Sequence, residues 1–144
     1  MNKEQVDPGM LGEEMSAEAA ALHARQGILV QTDLGEEPDV PLEIKQDLYR
    51  IVQEALHNTV KHARASQVEL HLNQADGMVV VAVCDNGKGF DTTTSFPGHL
   101  GLHSMQERVK SLGGELTIES APGQGTCIRA QVPVSVNNTG SLTT

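Results

Sequence analysis

Residues 84–91 read CDNGKGFD, directly after an apolar run, MVVVAVC at 78–84. A carboxylate at the end of a buried strand is costly unless it meets a donor, so Asp85 must have a partner. Asn-Gly is a strong signal for a tight hairpin turn. Gly87 and Gly89 also permit positive φ and close backbone approach to something flat or charged. A hairpin would lead into an alternating strand, whereas DTTTSFPGHL follows. Two chemistries are open to this stretch: chain reversal, or a carboxylate and glycine backbone shaped around a ligand.

Three further groups could carry chemistry. Glu54, Asn58, Lys61 and His62 recur at i, i+4, i+7 and i+8, which places them on one polar stripe of a helix. A solvated helix face is the plainer account. Asparagine, however, is a poor helix former with little reason to sit mid-helix unless its amide is used. An acid, an amide and a cation in line could hold a hydrated Mg²⁺ and meet a phosphate. Next, GHLGL at 98–102 leads into a helix whose free N-terminal amides suit an anion, unless its glycines serve only the junction. Last, GQGT at 123–126 opens a strand as many hairpin turns do, with Thr126 placed to share a pocket with Asp85 if their strands are neighbours.

The elements that must position these groups are legible from periodicity. SAEAAALHARQG at 16–27 reads as a short helix capped by Ser16 and stopped by Gly27, and ILVQTDL at 28–34 as a strand. Pro41 is suited to open the long helix at 42–63, with Leu48, Ile51, Val52, Ala55, Leu56, Thr59 and Ala63 as its apolar face. QVELHLNQ at 67–74 alternates like a half-buried strand, and MVVVAVC is apolar throughout, as a central strand would be. LHSMQERVKSLGG at 102–114 is an amphipathic helix, ELTIES a strand, and TCIRAQVPV the final strand. The order α-β-α-β-β-α-β-β favours an α+β, two-layer sandwich: a mixed sheet covered on one face by about three helices. Residues 1–14 read as a linker, 15–134 as one domain, and SVNNTGSLTT at 135–144 as a disordered tail.

Composition limits the partners. The 144 residues carry a net charge of -9, which argues against a nucleic-acid backbone or an anionic membrane surface. Three aromatics among 144 residues leave no platform for base stacking. Cys84 and Cys127 lie far apart in apolar runs, so buried reduced thiols are expected. No apolar run approaches a membrane span, and MNKEQVDPGMLGEE lacks a signal-peptide core, so a soluble cytoplasmic domain is expected.

Taken in order, the motifs resemble the ATP-binding domain shared by sensor histidine kinases, Hsp90, DNA gyrase B and MutL, the Bergerat or GHKL fold. EALHNTVKHA looks like its N box, DNGKGF its first glycine box, GHLGL its second, and GQGT its closing Gly-Thr element. The likeness covers roughly residues 26–133. RIVQEALHNTVKHA and GLHSMQERVKSLGGELTIES look most like the nitrate/nitrite-sensor-like histidine kinases. The resemblance implies that Asp85 accepts a hydrogen bond from the adenine amino group, supported by Thr126. Asn58 would be the protein's ligand to Mg²⁺, and Glu54 would orient a water or assist proton transfer. Lys61 and His62 would face the phosphates. Gly87, Gly89, Gly98 and Gly101 would hinge a lid over 90–100, with Leu100 and Leu102 in the second glycine box. Met105 and Arg108 would lie on the helix beneath the nucleotide. Mg²⁺ and helix N-terminal amides sharing the charge would reconcile a -9 chain with ATP.

His57 departs from the small or polar residue usual at its position, and His103-Ser104 from the more common x-Gly; neither should abolish binding. In the histidine kinases that the sequence resembles, the γ-phosphoryl passes in line to a histidine on a separate helical hairpin, followed there by an acid. None of the six histidines here has that setting. The resemblance therefore implies a monomeric catalytic domain that binds Mg-ATP but does not phosphorylate itself. Its partners would be the dimerisation hairpin and, indirectly, a response regulator. An anti-sigma-factor serine kinase of the same fold and a non-catalytic nucleotide sensor remain the alternatives.

Overall fold

A computed structural model describes residues 10–91 and 100–134. Helix α1 spans Leu11–Gln26, strand β1 Leu29–Leu34, and helix α2 Leu42–Asn58, continued by a π-helical turn, Thr59–Ala63. Strands β2 (Gln67–Ala75) and β3 (Met78–Asp85) follow, then helix α3 (Leu100–Ser111), β4 (Glu115–Ser120) and β5 (Thr126–Pro133). The five strands form one mixed sheet in the order β1-β2-β3-β5-β4, with only β1 and β2 parallel. This is the α+β arrangement expected from the element order.

Alternation along the strands decides which face is covered. Val68, Leu70 and Leu72 of β2, Val79, Val81 and Val83 of β3, and Ile128, Ala130 and Val132 of β5 are buried on one face. All three helices pack over it, contributing Leu11 and Met15 from α1 and Met105 and Val109 from α3. The seven apolar positions read from the long helix are all buried. Aliphatic packing thus supplies the core that the shortage of aromatics requires.

Helix α1 starts at Leu11, before Ser16, so residues 11–14 are not linker. Leu11 and Met15 are fully buried, and this burial, rather than a local cap, extends the helix. The capping group is remote in sequence: the amides of Leu11 and Gly12 donate to the Glu37 carboxylate at 2.7 and 2.9 Å. Lys45 completes the arrangement at 2.9 Å. Burial alone would raise the pKa of Glu37, but these donors outweigh it and hold the carboxyl below its usual value. Farther along, the Tyr49 hydroxyl donates to Glu18 at 2.8 Å, tying α2 to α1. Burial and that carboxylate push the tyrosine pKa up to about 12. Residues 1–9 and 135–144 lie outside the described residues, as does most of the expected lid, 92–99.

The cysteines are not the reduced thiols expected. Cys84 and Cys127 sit directly opposite each other on β3 and β5 and are joined by a disulfide. They are neither free nor fully buried. Their separation of 43 residues hid the pairing, which the strand register creates.

Candidate functional site

The end of α2 and the start of the DNGKGF stretch are built as one unit. Thr59 returns its hydroxyl to the Ala55 carbonyl at 3.1 Å, a back-bond that loosens helices, and the π turn begins there. Arg64, at φ 55°, ends the turn. Asn86 then clamps this corner. Its side-chain oxygen accepts the amides of Ser66 and Gln67 at 2.9 and 3.0 Å, and its side-chain nitrogen donates to Ser66 Oγ at 3.0 Å. The Lys88 amide donates to the Ala63 carbonyl at 2.8 Å. The Asn-Gly pair therefore makes no hairpin; it fastens a loop to the helix end.

Gly87 is needed because a Cβ there would collide with the Ala63 carbonyl oxygen. Gly87 thus uses the close approach that glycine permits without a positive φ, while Gly89 takes φ 65°. Gly125, at φ 78°, passes so close to the Asp85 carbonyl that any side chain would clash with it. These glycines let backbone segments approach one another, and the site is the space left between them.

That space is a cavity of about 420 Å³ lined by Asn58, His62, Ala63, Lys88, Gly89, Phe90, Leu102, Thr126 and Ile128. Most of its wall is apolar, with Asn58, His62, Lys88 and Thr126 as polar groups. The side-chain nitrogen of Asn58 is buried and has no hydrogen-bond partner among the described residues. A buried, unpaired amide is uncommon in folded proteins and calls for a ligand or solvent partner.

Asp85 lies at the cavity's edge, opposite Thr126 in the strand register. Burial raises its carboxyl pKa above the usual value, opposed by bonds from the Gly87 and Thr126 amides and the Thr59 hydroxyl. Oδ1 accepts from Gly87 at 2.7 Å. Oδ2 faces Thr59 Oγ1 at 3.4 Å, but that hydroxyl has one proton and a shorter contact to Ala55. Oδ2 therefore retains acceptor capacity. Ser120 organises the far wall: its hydroxyl accepts the Phe90 amide at 2.9 Å and donates to the Gly125 carbonyl at 3.0 Å. With that proton committed, Thr126 donates in the 2.8 Å Ser120–Thr126 contact, leaving its lone pairs free as acceptors.

Of the residues singled out from sequence, Asn58, His62, Gly89, Leu102 and Thr126 line this cavity. Asp85 and Gly87 frame it without lining it. Glu54 does not reach it; it lines a neighbouring depression with Arg50, Gln53, His57 and Arg108. The π turn begins only at Thr59, so it shifts Lys61 and His62, while Glu54 and Asn58 keep their regular spacing on α2. Lys61 is exposed and outside the cavity. Met105 is fully buried in the core, and Arg108 pairs with Asp47 at 3.3 Å. Gly98 lies outside the described residues, and Leu100 and Gly101 enter only as backbone in the first turn of α3. Lys88, Phe90 and Ile128 carried no assigned role. Two of these stand inside DNGKGF, and Ile128 shares the inward face of β5 with Thr126.

The sequence profile of the histidine kinase-, DNA gyrase B- and HSP90-like ATPases matches residues 43–136, and the chain belongs to this family of ATP-binding domains. It is 41% identical over 102 residues to the signal transduction histidine-protein kinase/phosphatase DegS of Brevibacillus brevis, covering 71% of this chain and 26% of that protein. To the sensor histidine kinase LiaS of Bacillus subtilis it is 36% identical over 110 residues, covering 76% of this chain and 30% of LiaS. The chain thus spans well under half of these relatives. Among solved structures, the blue-light activated histidine kinase of Erythrobacter litoralis superposes with a TM-score of 0.75 at 30% identity, over 89% of this chain and 43% of that one. The Acinetobacter baumannii histidine kinase AdeS, at 14% identity and a TM-score of 0.72, shares the fold. No helix among the described residues is long and apolar enough to cross a membrane.

Proposed function

We propose that this chain is the Mg-ATP-binding catalytic domain of a cytoplasmic two-component sensor histidine kinase. It donates the γ-phosphoryl group to a histidine on a separate dimerisation hairpin, and a response regulator receives the phosphoryl downstream. The observation that carries this reading is the buried Asn58 side-chain nitrogen, without a hydrogen-bond partner among the described residues, on the wall of a largely apolar cavity. An amide offers a hard oxygen to Mg²⁺ and two N–H donors to phosphate oxygens, so the residues present fit both groups. Bound there, Mg²⁺ would neutralise charge on the triphosphate during transfer.

Position supports the remaining roles. Asp85, with acceptor capacity left on Oδ2, receives the adenine amino group, and Thr126 supports that edge. The apolar wall of Phe90, Leu102 and Ile128 packs the base. His62 and Lys88 face the phosphates, with Lys88 taking the place Lys61 was expected to fill. Glu54 acts from the adjoining depression, where it can take a proton from the attacking imidazole. In the transfer, the bond between the γ-phosphorus and its bridging oxygen breaks, a phosphorus–nitrogen bond forms, and ADP leaves.

The test is to incubate the chain with γ-labelled ATP, alone and with the purified hairpin of the parent kinase. Label on the hairpin histidine in the mixture, and none on the chain alone, is the expected result. Phosphohistidine on the isolated chain would contradict the division of labour. A hairpin left unlabelled would contradict the kinase reading, and label on a serine of an added anti-anti-sigma protein would favour the serine-kinase alternative.

A further inference from the structure

The sheet face turned away from the helices carries a row that runs across four strands. Glu69 on β2 pairs with Cys84 on β3, Cys84 with Cys127 on β5, and Cys127 with Glu119 on β4. The disulfide at the centre of this row is the immediate neighbour of the Asp85–Thr126 rung that borders the cavity. Both cysteines are half-buried and line a surface depression shared with Asp85, Glu119, Gln124, Gly125 and Thr126.

We propose that Cys84 and Cys127 form a thiol–disulfide exchange site whose state sets the affinity of the adjoining nucleotide site. The link rests on the ATP reading given above. The reactants are low-molecular-weight thiols and disulfides. In reduction, one small thiolate attacks a protein sulfur and expels the other as a thiolate, which takes up a proton. A second small thiolate then cleaves the mixed disulfide, releasing the small disulfide and the second protein thiolate, which is protonated in turn. Oxidation is the reverse, with the small disulfide as electron acceptor.

Position makes the coupling physical. Closed, the bond fixes the spacing of β3 and β5 one residue from the carboxylate and hydroxyl that would hold adenine. Open, that spacing depends on the hydrogen-bonded ladder alone, and Asp85 and Thr126 are less preorganised. The oxidised form is therefore the tighter binder. The flanking carboxylates of Glu69 and Glu119 repel anionic reagents at this row, although Arg129 follows two residues along β5 on the same face. A neutral dithiol should thus open the bond faster than glutathione at equal thiolate concentration.

The experiment holds the whole folded chain in dithiothreitol or glutathione redox buffers. Free thiols are trapped with an alkylating reagent and counted by mass spectrometry, and Mg-ATP affinity is measured by calorimetry on each form. Interconversion without denaturant is expected, with affinity falling about fivefold on reduction. The Cys84→Ser/Cys127→Ser double variant should bind like the reduced chain and ignore the redox buffer. The proposal is overturned if the thiols cannot be trapped in the folded chain, or if both forms bind Mg-ATP equally. Should neither form bind Mg-ATP at all, the ATP reading fails and the coupling with it, while thiol trapping still reports the exchange chemistry separately.

Discussion

At Asp85 the fold and the proposed adenine contact would favour opposite protonation states. Its carboxyl pKa is raised by burial, so the folded chain binds a proton more tightly there than the unfolded chain does. Its contribution to stability accordingly falls as pH rises from the ordinary carboxylate pKa through the raised folded value. An adenine amino donor favours the ionised form, so Mg-ATP affinity should rise over that same interval and weaken on acidification. Asp85→Asn should lose roughly 1–3 kcal/mol of Mg-ATP binding, the scale of a hydrogen bond to a charged group. Its thermal stability without nucleotide should not fall at neutral pH. Calorimetry and thermal melts across pH check both halves. Ser120 gives a second residue-scale expectation, because one hydroxyl joins Phe90, Gly125 and Thr126. Ser120→Ala should weaken nucleotide binding by about 1 kcal/mol and reduce the preference for ATP over GTP, with Ser120→Thr recovering part of both. Asp85 and Thr126 could be singled out from the sequence because each sits in a glycine-marked motif. Ser120 could not, since its role exists only where β4 and β5 meet the loop after β3.

At the scale of elements, helix α1 depends on a carboxylate 25 residues or more away in sequence. The Glu37 pKa is held below its usual value, so its stabilising effect is present above the ordinary carboxylate pKa and is lost as pH falls through the depressed folded value. Glu37→Gln keeps one capping acceptor and removes the charge. It should destabilise the chain by about 1 kcal/mol at neutral pH, and the gap to the parent should close on acidification. Nucleotide affinity should not change, because α1 does not line the cavity. The strands and α2 were legible in the sequence because a period of two or of 3.6 marks burial directly. The start of α1 was not: GMLGEE holds two glycines and no local cap, and its helical state follows from burying Leu11 and Met15. The π turn escaped for a similar reason, since TVKHA continues the helical pattern while its hydrogen bonding shifts.

For the whole molecule, a net charge of -9 is compatible with the proposed ATP site because the cavity gathers His62, Lys88 and the Asn58 amide, with no carboxylate among the described residues that line it. Motif order made the family legible, as four modest signals in the right sequence mark one fold. The residues that surround a ligand were less so, because helix register and loop packing decide which side chains reach the cavity. Glu54 and Lys61 share a stripe with Asn58 and His62 in the sequence yet lie outside the cavity they line. Whether this cavity holds Mg-ATP through Asn58 is answered by titrating ATP into the chain and into Asn58→Ala by calorimetry, with and without Mg²⁺. Saturable binding by the parent that tightens with Mg²⁺, and an Asn58→Ala variant that is folded but has lost the Mg²⁺-dependent gain, is the predicted result. Equal binding by both proteins, or none by either, would contradict the account.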